Sequence, residues 1–332
     1  MTSDKKFPEQ DIQLLNKKIK KAKTIAISGH TNPDGDCVGA CLGLCTYILD
    51  QYPGKRVDVL LEPINKKFSF LKYADEIMHE KELRRSYDLY FSLDCSDPER
   101  LNQYQPYFEE AKDTICVDHH ITNLGFGNLR FIDPEASSTC EILFRLFDYE
   151  KISFDCAQDL YLGIVHDTGV FKHSNTTRRV MEIAGALIDK GVRPDFIIDE
   201  TFYKKTYIQN QILGRALMES ILLLDKKMIF SVITKRDLDL YEVTSDDLDG
   251  IIDQLRVTEG VECALFLYEK EPGQFKISMR SNGKVDVSRI ARTFGGGGHV
   301  KAAGCTMVGN VRDIINNISQ HVEHQLNQVD DL

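Results

Sequence analysis

The stretch ISGHTNPDGDCVGACLGL, residues 27–44, joins two apolar runs through a short polar loop. The run before the loop, KTIAISG, is rich in β-branched residues and predicts a strand. The run after it carries apolar residues at helical spacing and predicts a buried helix. The loop itself contains His30, Asp34 and Asp36, so one histidine and two acids lie between two buried elements.

The rest of the first half repeats this alternation of strands and helices. Further strands are predicted in RVDVLLE, YDLYFSLDCS and DTICVDHH, and helices in ASSTCEILFRLFDY, CAQDLYLGIVHDTG and TTRRVMEIAGALIDKG. Strands that alternate with helices indicate an α/β fold with a parallel sheet and crossover connections.

The sequence changes character after Gly191. A proline-containing turn and a helical pattern come first, and strands follow from about residue 215. Two of these strands, ECALFLYEK and QFKISMRSN, are joined by the turn residues EPG and predict a hairpin in a mixed or antiparallel sheet. We therefore predict a first, metal-binding domain over residues 1–192, a helical linker over 193–215 and a smaller α/β domain with a mixed sheet over 216–332.

Composition limits the classes of function. The chain has 332 residues, 42% of them hydrophobic, and a formal net charge of −10. No apolar run approaches the roughly 18 residues of a membrane span, and the N-terminus lacks the apolar core of a signal peptide. Nine cysteines without C-x-x-C spacing indicate a reduced, cytoplasmic protein. The negative charge disfavours long nucleic acids, but a small, compact anion could reach a metal-lined cleft.

Polar side chains follow three of the predicted strands. They are His30, Asp34 and Asp36 after the first strand, Asp94 at the end of YFSLD, and Asp118, His119 and His120 at the end of TICVD. Because the carboxyl ends of parallel strands share one edge of a sheet, these loops can converge on one point. Asp167, in IVHDTG at the end of a predicted helix, is a further candidate.

The charges in this set predict a pair of metal ions. Asp34, Asp36, Asp94 and Asp167 would repel one another if crowded together, and two divalent cations would offset their charge. His30 and His119 would complete a mixed shell that suits Mn²⁺, Fe²⁺, Co²⁺ or Zn²⁺ better than Ca²⁺. Two ions about 3.5–4 Å apart can bridge a water and lower its pKa, and the resulting hydroxide can attack phosphorus.

Four motifs resemble those of the DHH phosphoesterase superfamily: GHTNPDGDCVGA, SLDCSDPERL, VDHHITN and GIVHDTGVF. The later stretch DVSRIARTFGGGGHVKAAG resembles the signature of the DHHA1 domain. The order and spacing are similar to those of the stand-alone oligoribonuclease/pAp-phosphatase (nanoRNase) type. The resemblance implies two divalent metal ions, expected to be Mn²⁺, and hydrolysis of phosphate esters in short nucleotides.

The resemblance also implies roles for individual residues. His30, Asp34 and Asp94 would surround one metal, and Asp36, Asp94, His119 and Asp167 would surround the other. Asp94 would then bridge the two ions. His120 would face the substrate phosphate, so that Asp94 and His120 are the expected catalytic residues.

The glycine motif near the C-terminus is the candidate substrate-binding region. Gly295, Gly296, Gly297 and Gly298 could offer several backbone N–H groups as a nest for an anion. His299 and Arg280 could add contacts to phosphate. Ser281 and Asn282, on the loop after the strand QFKISMR, are further candidates for contact with substrate. The alternative is that the four glycines only end the helix DVSRIARTF.

Other conspicuous residues are expected to be structural. Cys37, Cys41 and Cys45 recur at helical spacing and should pack in the core. His166 precedes Asp167 and is expected to point away from the metals. Three histidines are expected to face solvent: His79, His321 and His324.

The leading functional hypothesis is a two-domain phosphodiesterase whose second domain binds the far end of a short substrate. It would release nucleoside monophosphates from RNA or DNA of two to five nucleotides and convert pAp to AMP. The nearest alternative is hydrolysis of cyclic di-AMP or its linear product pApA. A family II pyrophosphatase, a processive RecJ-type exonuclease and a metal-dependent nucleotide sensor are less favoured. A homodimer is expected, and no membrane partner is.

Overall fold

Residues 7–79 and 85–330 are described by the computed structural model. The chain divides into two units, Met1–Lys204 and Lys205–Leu332. The division falls inside segment 193–215, for which the sequence predicts a linker. Among the described residues, no helix has the length and apolarity that a membrane span requires.

The first unit is built on a five-stranded sheet with helices packed around it. Its main elements are α1 (Glu9–Lys21), β1 (Thr24–Ser28), α2 (Gly35–Gln51), β2 (Arg56–Leu60), β3 (Leu89–Leu93), α3 (Gln105–Glu110), β4 (Thr114–Asp118), β5 (Leu129–Ile132), α4 (Thr139–Leu146), α5 (Phe154–Asp167), α6 (Arg178–Asp189) and α7 (Pro194–Ile198). Short 3₁₀ segments lie at Lys66–Phe68, Ala74–Glu76, Pro98–Tyr104 and Tyr149–Lys151, and a π-helical turn follows at Asp199–Tyr203.

All neighbouring strands of this sheet are parallel, in the order β2-β1-β3-β4-β5. After β1 the chain forms β2 on one side, and it then returns to form β3 on the other side of β1. Loops that leave β1 and β3 therefore diverge at a switch point, where open α/β sheets bind their ligands. The predicted α/β fold with a parallel sheet is confirmed, and the switch point lies beside the first quoted motif.

Helix α2 is buried along most of its length, from Gly35 to Ile48, which explains why its sequence is apolar nearly all round. It packs against α5, and Gly163 of α5 permits a close approach. A Cβ atom at Gly163 would lie 2.3 Å from the Cys140 sulfur and 2.5 Å from Asp36 Oδ1. The absence of a side chain at this position therefore lets α5 and its terminal Asp167 come near Asp36.

The second unit contains a six-stranded mixed sheet. Its elements are α8 (Tyr207–Met218), β6 (Ile221–Leu223), β7 (Met228–Ile233), α9 (Lys235–Tyr241), a 3₁₀ segment at Ser245–Leu248, α10 (Ile251–Arg256), β8 (Cys263–Glu271), β9 (Gln274–Ser281), α11 (Val287–Thr293), β10 (Gly297–His299), β11 (Ala302–Val308) and α12 (Val311–Asp330).

The strand order in this sheet is β10-β11-β9-β8-β7-β6, and β7 and β8 are its one parallel pair among the described strands. Strands β8 and β9 form the predicted hairpin, with Pro272 and Gly273 between them. The predicted mixed sheet is confirmed.

Candidate metal centre

The loop after β1 presents one imidazole and one carboxylate in fixed orientations. His30 Nδ1 lies 2.8 Å from the carbonyl oxygen of Thr31, which leaves Nε2 free to bind another group. Asp34 caps α2, because its Oδ1 accepts from the backbone N–H groups of Asp36 and Cys37, each at 3.1 Å. His30 Nε2 lies 3.7 Å from Asp34 Oδ1.

Asp94 occupies the centre of the site and is 2% exposed. Its φ of 53° is a left-handed conformation that non-glycine residues adopt rarely and at a cost, often at functional sites. Its Oδ2 lies 3.4 Å from His30 Nε2, and its Oδ1 lies 3.4 Å from His119 Nε2. One carboxylate therefore turns one oxygen toward each of two histidines.

The second half of the site gathers around His119. Its Nε2 lies 3.0 Å from Asp167 Oδ2 and 4.0 Å from Asp36 Oδ2. Donor atoms of Asp36, His119 and Asp167 all lie within 4.8 Å of one another. The structure thus brings together the six residues predicted as metal ligands: His30, Asp34, Asp36, Asp94, His119 and Asp167.

His120 is held by an acid that the sequence analysis placed at the strand end but gave no role. Its Nδ1 lies 2.7 Å from Oδ1 of the fully buried Asp118. Asn123 donates to the other oxygen of Asp118 at 2.8 Å. Because Nδ1 is engaged, Nε2 of His120 is the atom left for another partner.

The electrostatics of the site come from burial and from mutual contacts. Burial alone would lower the pKa of His30, but Asp34 and Asp94 outweigh burial and raise this pKa to about 12. Burial would also lower the pKa of His119. Its contacts with Asp167 and Asp94 outweigh burial and raise this pKa to about 12. The same two imidazoles overcome burial at Asp94 and lower its pKa.

Two other acids are shifted in the opposite direction. Burial and the charges of Asp94 and Asp167 raise the pKa of Asp36 well above its ordinary value. Burial also raises the pKa of Asp167, although His119 opposes the shift. The cluster therefore holds more carboxylates than its histidines can neutralise, and bound cations would remove this imbalance.

The donor set fits divalent metals. Carboxylate oxygens with imidazole nitrogens are ligands typical of first-row transition ions. Asp94 offers its two oxygens in two directions, so the residues could hold a pair of ions as well as one.

Sequence reasoning missed the contribution of α4. The backbone N–H groups of Thr139 and Cys140 donate to the two oxygens of Asp36 at 2.7 and 3.1 Å, and the Thr139 hydroxyl donates to Asp94 Oδ1 at 3.1 Å. The available signal was the pattern Ser138-x-x-Glu141, which is typical of a helix start. Ser138 does cap α4, and this places the free N–H groups of its first turn at the buried acid.

The residues expected to be structural behave mainly as predicted. Cys37, Cys41 and Cys45 are buried free thiols, as are the other six cysteines. Cys37 is nevertheless close to the site, because its sulfur lies within 4.8 Å of donor atoms of His30 and Asp94. His166 packs between the rings of Phe68 and Phe202, with centroid distances of 5.2 and 4.4 Å. The three histidines expected to face solvent are exposed: His79, His321 and His324.

In the second unit, Arg280 and His299 lie on the same face of the sheet. Both are paired in register with Ala302, Arg280 from β9 and His299 from β10. Two strand spacings of about 4.8 Å place their backbones roughly 10 Å apart. Ser281 lies on the opposite face, is 3% exposed and accepts a hydrogen bond from the Gly283 N–H. This geometry does not favour the predicted contact between Ser281 and substrate.

Part of the glycine motif forms backbone hydrogen bonds within the second unit. The N–H groups of Gly295 and Gly296 donate to carbonyls of α11 at 3.1 and 2.8 Å, so they end this helix. At Gly298, φ is +139° and a Cβ atom would lie 2.5 Å from the Ala302 oxygen. The predicted nest of four glycines therefore has at most the amides of Gly297 and Gly298 to offer. The helix-ending alternative accounts for the other two.

The parallel-sheet unit, with carboxylates and imidazoles at its switch point, and the mixed-sheet unit each match a family model, and these matches make the protein a hydrolase of the phosphoesterase class. The model of the DHH family N-terminal domain matches residues 24–164, and that of the DHHA1 domain matches residues 225–327. The chain belongs to the DHH/DHHA1 phosphoesterase family.

Individual relatives cover most of the chain. It is 30% identical over 288 residues to the bifunctional oligoribonuclease and PAP phosphatase NrnA of Thermus thermophilus. The aligned region covers 86% of this chain and 84% of that protein. It is 24% identical over 315 residues to the cyclic-di-AMP phosphodiesterase GdpP of Bacillus subtilis. Here the aligned region covers 89% of this chain and 46% of that protein. An exopolyphosphatase-related protein from Bacteroides fragilis has a similar structure, with a TM-score of 0.89, 25% identity and coverage of 99% of this chain and 100% of that one.

Proposed function

We propose that this chain is a phosphodiesterase dependent on two divalent ions, Mn²⁺ being the expected metal, that hydrolyses oligonucleotides of two to five residues to nucleoside monophosphates. It also removes the 3′-phosphate of pAp. The observation that carries the proposal is the position of Asp94, whose two oxygens face His30 and His119 separately. The match to an oligoribonuclease and PAP phosphatase over 86% of the chain supports the choice of substrate.

The residues of the site divide the work between holding cations and handling the substrate. His30, Asp34 and Asp94 would hold one ion, and Asp36, Asp94, His119 and Asp167 the other. When bound, the ions supply positive charge for the phosphate and lower the pKa of a water molecule. Water adds to phosphorus as the P–O ester bond breaks. An oligonucleotide is then split into a phosphate monoester and a fragment with a free hydroxyl group, and pAp is split into AMP and inorganic phosphate.

His120 has a separate role toward the substrate in this proposal. Asp118 raises the pKa of His120 above its ordinary value and engages Nδ1, which favours a protonated Nε2 that can act as a donor. Donation of this proton to the leaving oxygen would neutralise the negative charge that develops there as the ester bond breaks. Arg280 and His299 of the second unit bind a further phosphate or the base of the substrate.

Hydrolysis of cyclic di-AMP or of pApA is the second candidate. The match to the cyclic-di-AMP phosphodiesterase GdpP over 89% of this chain favours it. The same carboxylates and imidazoles would serve either substrate, since both reactions replace a phosphodiester by a monoester. The two functions differ in the nucleotide that is bound, and initial rates on a panel of substrates distinguish them.

The test is a comparison of initial rates with Mn²⁺ on a single panel of substrates. The panel contains pAp, pApA, cyclic di-AMP, a 5-mer, a 24-mer, pyrophosphate and inorganic polyphosphate. We expect the 5-mer and pApA to give the highest kcat/KM and the 24-mer to be poor, because a net charge of −10 repels a long polyanion. A preference for cyclic di-AMP would replace the leading proposal by the second one. A preference for pyrophosphate or polyphosphate would reject both.

A further inference from the structure

A buried threonine contacts two of the acids in the candidate metal centre. Thr139 is the first residue of α4 and is 0% exposed. Its backbone N–H donates to Asp36 Oδ2 at 2.7 Å, and its hydroxyl donates to Asp94 Oδ1 at 3.1 Å. Asp36 lies on α2 and Asp94 follows β3, so Thr139 links ligands that come from two different elements.

The hydroxyl contact selects one orientation of Asp94. A carboxylate can rotate about its last bond at little cost, since that torsion has a broad energy profile. Oδ1 of Asp94 accepts from the Thr139 hydroxyl and lies 3.4 Å from His119 Nε2. The other oxygen, Oδ2, is thereby directed toward His30. Without the hydroxyl, no other hydrogen bond described in the structure fixes this torsion, because the remaining neighbours of Asp94 are imidazoles that a metal would engage.

We propose that Thr139 is a positioning residue whose hydroxyl orients Asp94 so that it can bridge two cations. This inference rests on the proposed two-metal function. It adds that the first turn of α4, beyond the six predicted ligands, determines whether two ions bind as a coupled pair. Partners of metal ligands typically change metal affinity by about 10- to 100-fold when they are removed.

The chain offers a matched control for this hydroxyl. Thr46 is also 0% exposed, and its hydroxyl donates to a buried aspartate, Asp159 Oδ2, at 3.2 Å. That pair lies where α2 packs against α5 and includes none of the six ligands. Thr46→Val and Thr139→Val therefore remove the same chemical group from the same kind of environment, and Thr139→Val retains the backbone N–H that holds Asp36.

The experiment measures Mn²⁺ binding by the full-length chain in the absence of substrate. Isothermal titration gives the affinity and number of ions, and electron paramagnetic resonance distinguishes a coupled Mn²⁺ pair from isolated ions. We expect Thr139→Val to weaken the second ion by about 10- to 100-fold and to reduce the coupled signal. Thr139→Ser, which keeps the hydroxyl, should restore both, and Thr46→Val should resemble the wild type.

Three results would overturn the role of Thr139. They are wild-type binding by Thr139→Val, an equal loss in Thr46→Val, and failure of Thr139→Ser to restore binding. If Thr139→Val does not fold, as judged by circular dichroism, Thr139→Ala is measured against the same criteria. A wild-type chain that binds no pair of ions would reject the proposed function itself, and this outcome is distinct from the other three.

Discussion

The two units hold their candidate functional side chains in opposite ways. In the first, acids and imidazoles are buried against one another, and Asp36 and Asp94 are 0% and 2% exposed. In the second, His299 is exposed and the Arg280 side chain is 31% exposed, with Asp253 Oδ1 3.5 Å from its Nε. Buried charges need fixed partners, whereas exposed ones can meet a partner that arrives from solution. The difference supports the proposal that the first unit performs the chemistry and the second binds substrate.

Replacement of Asp94 should have the largest effect. Asp94→Asn keeps the shape of the side chain but removes the charge that faces His30 and His119. We expect kcat/KM with Mn²⁺ to fall by more than about 100-fold, beyond the effect of losing a partner of a ligand, because Asp94 would serve both ions. Metal content after dialysis should fall in parallel.

Asp159→Asn is the control, because Asp159 is equally buried but lies where α2 packs against α5. Its activity and metal content should stay near wild type. An Asp94→Asn variant with wild-type turnover would contradict a two-metal centre.

Replacement of Arg280 should separate binding from chemistry. Loss of one charge-assisted contact to phosphate costs roughly 1.5–3 kcal/mol, so Arg280→Ala should raise KM for a 5-mer by about tenfold or more. The metal content should not change, because the residues that would hold the ions are all in the first unit.

Lys276 provides a cation for comparison on the same strand and face. It lies four residues before Arg280 on β9 and is exposed. Lys276→Ala should keep KM for the 5-mer within about twofold of the wild-type value, because an exposed charge that makes no specific contact contributes little. An equal rise in KM for both variants would indicate a diffuse charge effect instead of a specific contact.

The sequence was sufficient for the first unit because its motifs follow strands. Parallel strands bring their carboxyl ends together whatever the details of packing, so residues as distant as His30 and His119 could be predicted as neighbours. The role of Thr139 could not be predicted, because it depends on how α4 approaches Asp36 from another part of the chain. The N-cap pattern locates the start of that helix but does not indicate what its free N–H groups contact.

The second unit was harder to predict because its edge strands have weak sequence signals. Strand β10 consists of Gly297, Gly298 and His299, and β11 begins with small residues. Glycine and alanine have low β propensity, so the pairing that places His299 and Arg280 on one face arises from tertiary structure. Strand β5 in the first unit is similar, with only four residues and an exposed Arg130.

Two neighbouring glycines test how far the glycine motif serves the fold. A Cβ atom at Gly298 would lie 2.5 Å from the Ala302 oxygen, whereas nothing lies within 4 Å of one at Gly297. Gly298→Ala should therefore destabilise the chain by about 1–3 kcal/mol, as overpacking does, with added strain from its positive φ. Gly297→Ala should be nearly neutral in a denaturant titration.

The same pair of variants tests the nest hypothesis. If exposed amides at Gly297 and Gly298 bind phosphate, Gly297→Ala should raise KM moderately while stability is retained. Gly297→Ala keeps the backbone N–H but adds a Cβ in the open space through which an anion would approach, so unchanged KM would argue against phosphate binding at this amide. Equal stability of the two alanine variants would contradict the close approach at Gly298.

Replacement of Asp159 should have the smallest effect, and it tests what burial alone does to a carboxyl group away from the candidate metal centre. Burial raises its pKa well above the ordinary value, although the Thr46 hydroxyl opposes this. The folded chain therefore binds this proton more tightly than the unfolded chain, whose carboxyl titrates near pH ~4. The associated stabilisation is complete below that pH and is lost as pH rises toward the raised folded value. Asp159→Asn removes this titration, so its stability relative to wild type should increase as pH rises above about 4, until the raised folded pKa is reached, in urea unfolding without metal. A difference that does not change with pH would mean that Asp159 is already ionised in the folded chain. In that case burial would not be sufficient to raise the pKa of this carboxyl group.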